Sequence, residues 1–128
     1  EPNNPASAAI NVLSATPVVT LKINGQHPTP PTVPVTGPTL LTIDVSASTF
    51  STPVNWFWAL VFNGQVFWVT PTGLSLTPAP LTNAPAVPLS NATLLNLNLP
   101  PATTMTSLFF FLNGSTVVAG DVITATRP

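Results

Sequence analysis

Apolar and polar residues alternate with a period of two along most of this chain, which predicts strands rather than helices. From Pro17 to Asn24 the alternation sets Val19, Leu21 and Ile23 on one side and Thr20, Lys22 and Asn24 on the other, closed by Asn24-Gly25. From Thr39 to Ser46 it turns Leu41, Ile43 and Val45 inward and leaves Asp44 on the wet face. Thr93 to Leu99 sets Leu95, Leu97 and Leu99 inward against Asn96 and Asn98, and Pro100-Pro101 ends it. Short strands over Thr116–Ala119 and Val122–Thr126, about Gly120-Asp121, finish the chain. Ala8 to Leu13 alternates only weakly and predicts a strand with no fixed side to bury.

Two segments break the one-sided rule. Val54 to Thr70 holds all three tryptophans and three of the seven phenylalanines on either side of Asn63-Gly64, a pair that accepts the positive φ angles of a type I′ hairpin turn. With those two as turn residues, one face carries Trp56, Trp58, Leu60, Phe62, Phe67 and Val69. The other carries Phe57, Ala59, Val61, Val66 and Trp68. Met105 to Leu112 is likewise apolar on both sides, with Leu108, Phe110 and Leu112 against Phe109 and Phe111. An antiparallel sheet normally has one dry and one wet face, so two-sided apolar strands need a second cover. The expected interface residues are therefore Phe57, Val61, Val66 and Trp68, with Phe109 and Phe111 from the later strand.

Prolines punctuate the rest. His27 to Pro38 has five and should run extended along an edge, while Pro71 to Pro88 has five more and reads as a long connection across one end of the fold. The pattern gives about seven to nine short strands with turn signals between them, the mark of an all-β, antiparallel sandwich of immunoglobulin-like kind. In that architecture the third and sixth strands, here Val54–Phe62 and Met105–Leu112, lie side by side, so their outer faces merge. Residues 1–16 are expected to form a lead carrying a donor or edge strand, and residues 17–128 the sandwich domain.

Charge narrows the function. Two basic and three acidic residues among 128 leave no electrostatic footprint for nucleic acid and no polybasic patch for lipid. They also give little self-repulsion between copies. No apolar run is long enough for a membrane helix, and absence of cysteine removes disulfides and thiol chemistry. The Thr-, Ser-, Asn- and Pro-rich composition, scarce in lysine, is that of exported surface proteins, so an extracellular location with a processed N-terminus is expected.

The order of segments resembles immunoglobulin-like repeats of large bacterial secreted and cell-surface proteins. A strand ending in Asn-Gly (VTLKINGQ), a Gly-preceded strand (GPTLLTIDVS) and a Trp-rich hairpin ending in Thr-Pro-Thr-Gly (VNWFWALVFNGQVFWVTPTG) carry the likeness. Leu-Pro-Pro, a Phe-rich strand and a closing Gly-Asp strand extend it over Val18 to Thr126. The resemblance implies a structural module of stalks, surface layers or filaments, with no catalytic residues.

Enzymatic chemistry finds little material. His27 sits in the proline-rich loop, and nothing in the spacing converges it with a serine and Asp44 or Asp121. Two isolated aspartates are a poor supply for calcium, which takes six to eight oxygens, so neither metal nor cofactor is expected. The sequons at Asn91 and Asn113 would accept N-glycans in a suitable export route. The expected role is a structural subunit partnered by copies of itself, joined through apolar sheet faces and through exchange of the strand bearing Ile10 and Val12. The alternative is glycan binding by exposed Trp56, Trp58 or Trp68, against which their aliphatic mid-strand neighbours speak.

Overall fold

The computed structural model describes residues 16–46 and 52–128. Ten strands and no helix occur there: β1 (Val18–Ile23), β2 (Thr32–Pro34), β3 (Pro38–Ser46), β4 (Pro53–Phe62), β5 (Gln65–Thr70), β6 (Gly73–Ser75), β7 (Thr82–Pro85), β8 (Leu89–Asn98), β9 (Thr103–Asn113) and β10 (Thr116–Arg127). They form a three-stranded sheet, β1-β3-β8, and a seven-stranded sheet, β2-β10-β9-β4-β5-β6, with β7 against the first half of β4. Every pairing is antiparallel except β2 with β10.

The alternation in the sequence becomes the core. Val19, Leu21, Ile23, Leu41, Ile43 and Val45 of the smaller sheet join Val54, Trp58, Leu60, Met105, Phe109, Phe111, Ile123 and Ala125 of the larger in one buried cluster. Each large side chain fully withdrawn from water contributes about 1.5–3 kcal/mol. Trp58 donates its indole N–H to Oγ of Ser107 at 3.0 Å, which explains how a serine sits fully buried on the core side of β9.

The turns hold as the sequence sets them. Asn24-Gly25 and Asn63-Gly64 both have two positive φ angles, at 51° and 78° and at 47° and 88°, as a type I′ turn requires. Asn63 is fixed further by Oδ1, which accepts from the Thr104 N–H at 2.9 Å. The proline-rich stretch after β1 does run along an edge: its Thr32–Pro34 segment pairs in parallel with β10.

Four expectations are corrected. Phe109 and Phe111 are fully buried in the core, and Leu108, Phe110 and Leu112 take the outer positions of β9. The connection from Pro71 to Pro88 contains two short strands, β6 and β7, held by backbone ladders to β5 and β4. The two closing strands are one, β10, interrupted by a register shift between Val117 and Ala119. The strand predicted from Thr93 begins earlier, at Leu89, and Leu95 and Leu97 are half-buried while Leu99, just past its end, is fully buried.

Candidate functional site

β4 and β9 pair from Asn55↔Leu112 to Phe62↔Met105, which brings the two strands of two-sided apolar character together. β5 continues the sheet on one flank, with Trp68 opposite Ala59 and Val66 opposite Val61. β10 continues it on the other, with Gly120 opposite Phe110 and Val122 opposite Leu108. Directly opposed residues share a face. The outer face therefore reads across four strands as Trp68 and Val66, then Phe57, Ala59 and Val61, then Phe110 and Leu108, then Gly120 and Val122.

Three aromatic rings form its centre. Phe57 and Phe110 stack at 5.2 Å with planes 13° apart, and Trp68 meets both edge-on, at 5.8 Å and 6.3 Å. Offset stacks and edge-to-face pairs are the favoured aromatic geometries and hold the rings as a platform. Gly120 makes room for it, since a Cβ there would lie 2.7 Å from Cβ of Phe110. The missing side chain opens a groove of about 400 Å³ lined by Leu108, Phe110, Val117, Gly120, Asp121 and Val122. Val66, Val117 and Val122 expose 38%, 61% and 41% of their surface around the rings, well above the buried positions of the opposite face.

Of the expected interface residues, Phe57, Val61, Val66 and Trp68 lie together here, and Ala59 is covered by its neighbours. Ile10 and Val12, with the strand assigned to Ala8–Leu13, lie outside the described residues. Leu108 and Phe110 are one side of the two-sided strand in the sequence, but the opposite side is the one expected at the interface, and Val117 and Val122 are not expected there; the signal for this half is Gly120, whose lack of a side chain faces Phe110.

The charged groups are all engaged elsewhere among the described residues. Asp44 accepts the Asn91 N–H at 2.8 Å and lies 3.3 Å from Nζ of Lys22. The Asn91 hydrogen bond foremost, then the Lys22 ammonium, hold its carboxyl below the usual carboxylate range against the opposing effect of burial. Asp121 opposes Phe109, so its side chain leaves β10 on the core side and accepts the Leu21 N–H of β1 at 2.8 Å, tying one sheet to the other. Arg127 donates to the Leu99 carbonyl. His27 Nε2 stands 3.7 Å from Oδ2 of Asp121, and no group of three His, Cys, Asp or Glu side chains gathers among the described residues. Both sequon asparagines are exposed, Asn91 at a positive φ of 48° within β8 and Asn113 at the end of β9.

No family model, curated protein or solved structure matches the chain.

Proposed function

We propose that this chain is a non-enzymatic structural subunit that assembles with copies of itself through the outer face of its larger sheet, in an extracellular filament or cell-surface array. The observation that carries the reading is the platform of Phe57, Phe110 and Trp68 with exposed valines about it, on a molecule whose described charges are all held by internal contacts. A second copy is the fitting occupant, because a neutral apolar face complements another neutral apolar face, and no free charge among the described residues either attracts a charged partner or repels a like one. The finer fold reading is an immunoglobulin-like sandwich. It is supported by the order β1-β3-β8 against β2-β10-β9-β4-β5, in which the first strand's continuation crosses to the other sheet and joins the last. The extracellular setting rests on the Thr-, Ser-, Asn- and Pro-rich composition. Sedimentation of the double variant Val66→Lys/Val122→Lys tests the interface. Both positions are already exposed, so stability should hold while association weakens; association equal to the parent chain's would overturn the face assignment.

A second reading, glycan binding, is favoured by Trp68. Trp56 and Trp58 donate their indole N–H groups to the Ala84 carbonyl and to Ser107, whereas that of Trp68 has no partner among the described residues. A tryptophan emission shift on adding neutral oligosaccharides such as chitohexaose, abolished by Trp68→Ala, would favour it. Emission unchanged by sugar but sensitive to protein concentration would favour assembly.

A further inference from the structure

A strand at the end of a sheet leaves alternate N–H and C=O groups unpaired and templates an incoming strand unless something blunts it. Four of the edge strands here are blunted. On β1 the Leu21 N–H is held by Asp121, and Ile23 exchanges both backbone bonds with Gln26. β2 has three residues, follows Pro30 and Pro31 and ends on Pro34. β6 has three residues, and β7 has four and ends on Pro85. β8 differs in its second half: its ten residues, LSNATLLNLN, contain neither proline nor charge, only β3 pairs with it among the described residues, and beyond the two register shifts and the positive-φ Asn91 of its first half, Leu95–Asn98 pairs regularly with Pro38–Leu41. The Leu99 N–H donates to the Gly37 carbonyl on the β3 side, so alternation turns the N–H groups of Asn98 and Asn96 to the open side.

We infer that β8 is a second self-association site, where β8 of one copy adds antiparallel to β8 of another about a two-fold axis and joins two three-stranded sheets into one of six. This rests on the reading that the chain assembles with itself. A second copy is the natural occupant because an antiparallel edge is complementary to itself under a two-fold, and the Asn, Thr, Ser and Leu side chains of β8 bring no charge of either sign to the contact. Area points the same way. Four strands about 4.8 Å apart and about 20 Å long give the aromatic face roughly 400 Å². A stable interface buries about 800 Å² per partner, so the face benefits from a second contact. Two different two-fold contacts, a face on the larger sheet and an edge on the smaller, alternate from copy to copy and carry assembly beyond the dimer, into an open chain where the two axes do not meet and a closed dihedral set where they do.

Sedimentation velocity of four forms of the whole chain tests this: the parent, the face variant Val66→Lys/Val122→Lys, the edge variant Asn96→Pro, and the three substitutions combined. Proline at 96 removes an N–H from the open side and leaves the ladder to β3 intact. The parent should form species beyond the dimer, each single-site variant should stop at a dimer, and the combination should be monomeric. Asn96→Pro that assembles like the parent, with parental circular dichroism and melting, overturns the edge site and leaves the face reading standing. A parent that stays monomeric at high concentration overturns both. Should Asn96→Pro unfold, Asn96→Lys guards the same edge through its side chain and replaces it in the comparison.

Discussion

Replacing Ser107 by alanine removes one oxygen from the centre of the core and leaves the indole N–H of Trp58 facing nothing. Ser107 is fully buried, Trp58 exposes 7% of its surface, and their 3.0 Å bond joins neighbouring strands of the larger sheet. A typical hydrogen bond contributes about 1 kcal/mol net, whereas a buried donor left unsatisfied costs about 1–3 kcal/mol. Alanine leaves a space smaller than a water molecule and adds little cavity cost, so a loss of about 2 kcal/mol is expected. In a chain of this size about 1 kcal/mol moves Tm by about 4 °C, which puts the melting drop near 8 °C. Trp58→Phe is also destabilising, but with the indole gone Ser107→Ala should cost almost nothing more, because the donor it would orphan is absent. Thermal and urea denaturation of both single variants and the double variant give the coupling directly. Ser107→Ala that melts within a degree of the parent, or a double variant whose losses simply add, would refute the assignment of Ser107 as the partner that admits Trp58 to the core.

Gly64→Val should destabilise by roughly 1–3 kcal/mol, since a β-branched residue is forced to positive φ. Gly64 sits at φ 88° and a Cβ there meets nothing within 4 Å, so the cost is one of backbone alone, and unchanged melting would contradict the type I′ turn. Asp44 supplies an acid dependence: its folded pKa is depressed, so its contribution is present above the unfolded carboxylate value of about 3.9 and is lost as pH falls through the folded one. Melting followed from pH 6 to pH 2 should therefore fall below about pH 4. Asp44→Asn should flatten that fall, and an identical acid profile in the variant would discount the Asn91 and Lys22 contacts.

The one-sided strands were legible because their chemistry is one-sided. In β1 and β3 the residues between the buried aliphatics are Thr20, Lys22, Thr42 and Asp44, all polar, so the period of two also states which side faces in. β9 offers no such cue. Phe109 and Phe111 on one side and Leu108, Phe110 and Leu112 on the other are equally apolar, and the adjacent small polar pair Thr106 and Ser107 splits between the two sides, with Ser107 pointing into the core because Trp58 supplies a donor there. The phase of β9 is a tertiary fact, settled by a contact 49 residues away. β6 and β7 escaped notice for another reason: three and four residues among prolines carry no alternation, and their strand character lies in backbone pairing to β5 and β4. The candidate face was half legible. Phe57, Val61, Val66 and Trp68 follow from hairpin register alone, whereas the β9 and β10 half needed the pairing of Gly120 with Phe110.

The engagement of Lys22, Asp44, Asp121 and Arg127 in internal contacts has a consequence for how the molecule answers to dissolved ions. Ordinary salt acts on proteins chiefly by screening long-range fields, and here little field remains to screen. If copies associate through the proposed apolar face, sodium chloride in the physiological range should leave their affinity nearly unchanged. Sulfate and phosphate act instead through water, by being excluded from apolar surface and favouring its withdrawal. The proposed assembly should therefore follow the Hofmeister rank of the medium more than its ionic strength.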